Sequence, residues 1–195
     1  MTLAALSLAL TVVGQANAAA VNPITFPSAS VAFEKGVMAC EAVYTGALTG
    51  EKSDPDKPGP FSQRGFYMSA SGDEAKVNML MLGQQAHVYK GSVEGAAGVV
   101  YIVFSRAPLA CRVASFDAPD SHEGVLEQLN KRGSGWVAQA TTSPSPAAKM
   151  QLFRKEIVGK PVTLNLSWPV ARGKGPNGLA AMATMIVQDA ASVIR

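Results

Sequence analysis

The sequence predicts an α+β fold, in which a mainly antiparallel sheet packs against an N-terminal helix and a mid-chain helix. The first observation is an apolar stripe with helical spacing near the N-terminus, formed by Phe33, Val37, Cys40 and Tyr44. The second is residues 98–105, a segment dominated by β-branched and aromatic side chains. The third is residues 161–168, where apolar and polar side chains alternate as in a strand with one buried face.

The order of these elements, with a helix, several strands, a second helix and further strands, resembles profilin-like and PAS-like architectures. That resemblance rests on element order alone and implies no function. Apolar residues make up 48% of the 195 residues, which is enough for a substantial core. A chain of this length suits one domain of ordinary size.

The first 18 residues have the pattern of a signal peptide. Residues 3–13 form an apolar block of the size of a secretory h-region, and Ala16 and Ala18 place small residues where signal peptidase cleaves. We therefore expect cleavage after Ala18, one domain over residues 19–195, and export to the periplasm or the extracellular space. No Lys or Arg precedes the block, so a buried N-terminal helix is the alternative. A membrane anchor is disfavoured because the block is shorter than the roughly 20 residues that cross a bilayer.

Capping and turn residues set the expected boundaries in the first half of the chain. Ser28 or Ser30 begins the N-terminal helix, and Gly46 or Gly50 ends it. Residues 51–65, rich in Pro and Lys, are expected to form a surface loop. Strands are then predicted at residues 66–70, 77–82, 86–90, 98–105 and 109–116.

The mid-chain helix is expected to start at an aspartate. Asp117 or Asp120 is the predicted cap, Pro119 lies near the first turn and Gly133 ends the helix. Lys131 and Arg132 would then suit the negative end of the helix dipole. Further strands are predicted at residues 135–140, 150–157 and 161–168.

The last segment, residues 179–194, fits either a helix or a strand. We favour a strand over residues 180–188, because the Gly-rich connection before it is typical of a hairpin turn. Gly173, Gly175 and Gly178 match the dinucleotide fingerprint by letters, but Pro176 interrupts the loop. No cofactor is therefore expected.

The two cysteines, Cys40 and Cys111, are expected to form one disulfide, as is usual in an exported protein. The helical stripe puts Cys40 on a buried face, and the strand at residues 109–116 can place Cys111 opposite it. Two buried free thiols are the alternative. A nucleophilic Cys paired with His87 or His122 is the least favoured, because neither Cys has a neighbouring His in the sequence.

Enzymatic and metal-binding motifs are weak. His87 and His122 are the only histidines, and no second His lies four residues from either, so no metal site is expected. The chain lacks Gly-x-Ser-x-Gly and Ser-x-x-Lys, which serine hydrolases of known types carry. Asp54, Asp56, Asp73 and Glu74 are acids in predicted loops, but sequence does not show whether any two form a catalytic pair.

Charge is distributed unevenly along the chain, although the formal net charge is only +3. Residues 131–174 contain eight basic residues and one acid, Glu156. We expect a cationic patch at strand ends, built from Lys160, Arg172 and Lys174, that contacts an anionic envelope component or an acidic protein. A solvated surface without a partner is the alternative, and nucleic acid is not expected.

The function that these patterns favour is non-enzymatic binding by an exported soluble module. The alternative is a small extracytoplasmic hydrolase whose site is assembled from scattered polar residues. A concave pocket that joins His87 or His122 to a carboxylate and a hydroxyl would favour the hydrolase.

Overall fold

The computed structural model describes residues 24–50, 59–68, 74–81, 86–95, 98–106, 108–143, 145–172 and 174–188. The predicted signal peptide, the acids Asp54, Asp56 and Asp73, and residues 189–194 lie outside them. The helices are α1 (Ala29–Thr49), α2 (Glu74–Leu80) and α3 (His122–Asn130). The strands are β1 (Thr25–Phe26), β2 (Phe66–Met68), β3 (Ala86–Val93), β4 (Val99–Arg106), β5 (Leu109–Phe116), β6 (Val137–Gln139), β7 (Ala148–Ile157), β8 (Lys160–Pro169) and β9 (Leu179–Val187).

Within the described residues, the nine strands form one sheet in the order β1-β3-β4-β5-β9-β8-β7-β6, with β2 pairing to β3. Every pair is antiparallel except β1 with β3. Two short 3₁₀ helices, Ser62–Arg64 and Pro176–Gly178, lie in connections. The α+β prediction, with a mainly antiparallel sheet and helices at the expected places in the chain, is confirmed.

Helix α1 forms where the capping residues predict it. The Ser28 hydroxyl accepts a hydrogen bond from the Val31 amide, which satisfies one of the free N–H groups of the first turn. Gly50 ends the helix in the left-handed conformation, with φ of 75°, which glycine adopts without a Cβ clash. The predicted stripe is buried against the sheet: Phe33, Val37, Cys40 and Tyr44 are at most 5% exposed.

The opposite face of the sheet is covered over β4 and β5 by α2, where a strand at residues 77–82 was expected. That prediction is wrong. An apolar run this short has no decisive period, and Lys76, Met79 and Leu80 all have good helix propensity. The helix buries Leu80 completely in a second core cluster with Tyr101 and Phe116.

Helix α3 starts later than predicted, at His122, and Ser121 is the residue before it. Asp117 and Asp120 do not cap the helix; they adopt left-handed conformations with φ of 57° and 65° in the turn that precedes it. Aspartate tolerates this conformation better than most residues, because its short side chain bonds to the local backbone. Lys131 follows the last helical residue instead of lying in the final turn.

The C-terminal segment forms a strand, as favoured for residues 180–188. Strand β9 lies between β5 and β8 and pairs antiparallel with both. This position in the middle of the sheet accounts for its buried side chains, since Ala181, Ala183 and Met185 face the α1 side of the core. The hairpin prediction for the connection before β9 agrees with the antiparallel pairing of β8 and β9.

Candidate functional site

A disulfide links α1 to the centre of the sheet, as predicted. Cys40 and Cys111 are bonded, their Cα atoms are 5.8 Å apart, and each residue is 1% exposed. One turn further along α1, the Tyr44 hydroxyl donates a hydrogen bond to the Leu109 carbonyl. The two links fix the position of α1 over β5, so side chains on the flank of α1 are held in place.

A cleft of about 180 Å³ lies along that flank, between α1, α3 and the chain around Trp136. We call it the α1–α3 cleft. Its apolar lining consists of Val37, Met38, Val125, Leu129 and Trp136. Its polar lining consists of Glu34, Glu41, Gln128, Ser134 and Lys155. The cleft is therefore amphipathic, and its volume is comparable to that of one large side chain.

One wall of the cleft is a network centred on Glu41. Its Oε1 lies 2.5 Å from Nζ of Lys155 on β7, and its Oε2 accepts a hydrogen bond of 3.0 Å from the Trp136 indole N–H. Lys155 also donates to the Ser134 carbonyl at 2.7 Å, and its Nζ lies 5.7 Å from the centre of the Trp136 ring. Both oxygens of Glu41 are thus occupied, and the indole is held at a fixed angle.

The spacing of residues on α1 explains why its acids and apolar groups meet in the cleft. Glu34, Met38 and Glu41 are separated by four and three residues, so they share one face of the helix. Gly124 of α3 lies opposite, and a Cβ there would come 3.3 Å from Oε2 of Glu34. The carboxylate of Glu34 therefore lies against the backbone of α3 at the edge of the cleft.

The charges in the cleft do not balance. Lys155 is paired with Glu41, whereas Glu34 forms no ion pair with any residue that the structure describes. Two carboxylates and one ammonium leave the lining with one excess negative charge. A positively charged group would therefore be favoured there.

The two histidines lie elsewhere. The His122 ring stacks on Trp168 of β8, with centroids 4.5 Å apart, and its buried Nδ1 has no hydrogen-bond partner among the described residues. Burial lowers the pKa of His122; Glu123 opposes this and Lys149 adds to it. His87 is exposed on β3, and three strands, about 19 Å at the usual strand spacing, separate β3 from β8. Neither histidine lines the α1–α3 cleft.

The predicted cationic patch is not brought together as one surface. Lys160 begins β8, whereas Arg172 and Lys174 follow its other end, about 30 Å away along a ten-residue strand. Arg172 is paired with Asp120. The acids and bases that are segregated in the sequence thus partly neutralise one another in the fold, and binding of an anionic partner by these residues stays a prediction.

Neither a cluster of metal ligands nor a membrane-spanning helix is found in the part of the chain that the structure describes. No three His, Cys, Asp or Glu side chains come together as metal ligands would. No helix there is both long enough and apolar enough to cross a bilayer. Glu74, the one predicted loop acid among these residues, is exposed at the start of α2.

Comparison of the chain with family models, with curated proteins and with solved structures found no match. Sequence reasoning did not single out Glu41 or Trp136. The signal in the sequence that could have pointed to this helix face is the spacing of Glu34, Met38 and Glu41 beside the apolar stripe of α1.

Proposed function

We propose that this chain is an exported, non-enzymatic binding module and that the α1–α3 cleft is its ligand site. The observation that carries the proposal is one cleft that combines apolar side chains, a carboxylate without an ion pair among the described residues, Glu34, and a fixed aromatic ring, Trp136. Binding sites commonly have an apolar lining with a few polar groups that set orientation. Export is supported by the N-terminal sequence pattern and agrees with a buried disulfide.

The polar groups of the cleft favour binding over hydrolysis. The Ser134 hydroxyl donates to the Leu129 carbonyl at 2.8 Å and accepts from the Trp136 amide at 3.2 Å, so it is used to hold the loop. Lys155 contacts the carbonyl of Ser134 and not its hydroxyl. A nucleophile needs an adjacent base, and this arrangement does not supply one.

The ligand that fits best is an organic cation with a short apolar body, such as a basic side chain presented by a protein partner. The ammonium or guanidinium group would face Glu34, and the apolar body would lie on Val37 and Leu129. An anionic ligand would face the excess negative charge of the cleft.

Three four-carbon probes test the charge preference: n-butylammonium, n-butanol and butyrate. Each is titrated at constant ionic strength while the Trp136 indole N–H resonance is followed by NMR. We expect saturable shifts with n-butylammonium, weaker binding of n-butanol and no saturation with butyrate. Glu34→Gln should weaken n-butylammonium binding about tenfold, the scale of one charge-assisted contact. The matched control, Glu156→Gln, removes an exposed carboxylate of β7 and should leave binding unchanged.

Butyrate that binds as well as n-butylammonium, or an affinity that ignores Glu34→Gln, would overturn the ligand assignment. Turnover of ester or amide substrates that is lost in Ser134→Ala would overturn the non-enzymatic assignment. Export is tested separately by the intact mass of protein from the native envelope or culture medium. The expected mature N-terminus is Ala19, and a full-length chain recovered from the cytoplasm would contradict export.

A further inference from the structure

A polar row crosses the sheet on the face opposite α1 and its disulfide. Arg112 of β5 lies directly across from Thr184 of β9, and Thr184 lies across from Asn165 of β8. The alternation of strand side chains puts all three on the face that α2 covers only in part. Ile186, two residues along β9 from Thr184, is 43% exposed, so this part of the face is open.

Arg112 is half-buried, and two groups hold its guanidinium. Nε donates to Oγ1 of Thr184 at 3.0 Å, and Nη1 donates to the Leu80 carbonyl at the end of α2 at 3.3 Å. Both acceptors are neutral, and no carboxylate pairs with Arg112 among the described residues. Lys76, Lys155 and Arg172 differ, since each of them pairs with a carboxylate.

A half-buried charge without a counter-charge is destabilising. Burial lowers the pKa of Arg112, which reflects the same cost to the charged form. The carbonyl of Leu80 relieves part of that cost, because the last carbonyls of a helix attract cations. A helix of seven residues supplies only a small dipole, however, and the remaining N–H groups of the fork are left for an external acceptor.

Other atoms on this face also lack partners. Ser105 Oγ, Thr163 Oγ1 and Asn165 Oδ1 are buried without a hydrogen-bond partner among the described residues. Their strand positions place Ser105 beside Ala110 and Thr163 beside Ile186, on the same side as Arg112. Groups of this kind are usually satisfied by ordered water. A polar face of this type suits a small polar ligand better than it suits an apolar protein surface.

We propose that Arg112 and Thr184 form a second site, which binds the carboxylate of a small organic acid. The planar fork of arginine matches the two oxygens of a carboxylate. The oxygen of Thr184 already accepts from Nε, so its own hydroxyl proton is free to donate to the ligand. The site lies on the opposite face of the sheet from the α1–α3 cleft, and it does not depend on the function proposed for that cleft.

The test follows the Nε–Hε resonance of Arg112 by NMR. Sodium acetate is titrated against sodium chloride at constant ionic strength, and acetate should give a saturable shift that chloride does not. Arg112→Lys retains the charge but loses the fork, and we expect acetate affinity, followed by the backbone amide of Thr184, to fall at least tenfold. Thr184→Val retains the guanidinium and should weaken acetate about threefold. Arg154→Lys, at an exposed arginine on the same face, is the matched control and should have no effect.

A shift that is linear in acetate and equal to that with chloride would overturn the site. So would an unchanged affinity in Arg112→Lys, or an acetate affinity in Thr184→Val equal to that of the unmodified protein. Because Thr184→Val leaves the bond from Arg112 to Leu80 in place, it separates ligand binding from the role of Arg112 in holding α2.

Discussion

Glu41 of α1 and Lys155 of β7 form an ion pair with a 2.5 Å separation between Oε1 and Nζ, although 114 residues separate them in the chain. The pair joins the helix to the far half of the sheet. Because Glu41 also accepts from the Trp136 indole, the same carboxylate orients the aromatic wall of the α1–α3 cleft. Stability and the shape of the cleft are therefore linked at one residue.

Loss of this pair should destabilise the fold. The side chain of Lys155 is 23% exposed and that of Glu41 is 30% exposed, so the pair is neither a surface pair nor a fully buried one. Lys155→Met should lower the free energy of unfolding by about 1–2 kcal/mol, because it leaves a partly desolvated carboxylate with one remaining donor. Urea unfolding measures the loss. Glu41→Gln keeps an acceptor for Trp136 and should cost less than Glu41→Ala.

A double-mutant cycle isolates the contact between the two residues. If Lys155→Met, Glu41→Gln and their combination give additive changes, the ion pair contributes nothing to stability and the prediction fails. The coupling should also weaken in high salt, because neither side chain is fully shielded from solvent.

The disulfide should contribute substantially to stability. Cys40 and Cys111 are 71 residues apart, and closing a loop of that length restricts the unfolded chain by about 4 kcal/mol. Replacing both cysteines with alanine should lower the free energy of unfolding by an amount of this order. Thiol labelling of the unfolded, unreduced protein should find no reactive cysteine, and two labelled thiols would contradict the bond.

The disulfide could be predicted because both of its partners lie in regular local patterns. The helical period put Cys40 on a buried face, and strand alternation put Cys111 on the face that meets it. Helix α2 had no such pattern, because its short apolar run fits a strand and a helix equally well. The segment is a helix whose Leu80 packs on the second apolar face of the sheet, around Tyr101 and Phe116, and this contact between distant parts of the chain is not visible in the local sequence.

The candidate site depended on tertiary pairing that the sequence does not show. Lys155 was counted with neighbouring bases, but in the fold it belongs with Glu41. Arg172 likewise belongs with Asp120, so an uneven charge distribution along the chain became a set of local pairs. Linear charge counts describe neighbours in sequence, whereas electrostatic interactions fall off over about 8–10 Å in space at physiological ionic strength.

Stability should depend on the protonation of His122. Burial keeps the pKa of His122 below its ordinary value, so the unfolded chain binds a proton more readily than the folded one. The contribution of neutral His122 to the free energy of unfolding is therefore complete above about pH 6.5, the ordinary pKa of histidine. It is lost as the pH falls towards the lower pKa of the folded state. Urea midpoints between pH 7.5 and 5.5 should decrease more for the unmodified protein than for His122→Gln. Equal decreases would show that His122 is not the group responsible.

Gly36 is required because α1 lies very close to β5. A Cβ at this position would lie 2.7 Å from Cγ1 of Val113 and 3.3 Å from the Phe66 ring. Gly36→Ala should gain about 1 kcal/mol in helix propensity but lose about 1–3 kcal/mol through overpacking, so we expect net destabilisation in urea unfolding. Val113→Ala removes the clashing methyl groups and should largely suppress the additional cost of Gly36→Ala. Gly124→Ala is the matched control: its Cβ would meet only flexible side-chain ends, Oε2 of Glu34 at 3.3 Å and Oγ of Ser30 at 3.7 Å, so the gain in helix propensity should dominate. If both glycine variants are stabilised, the close approach of α1 to β5 does not constrain this helix.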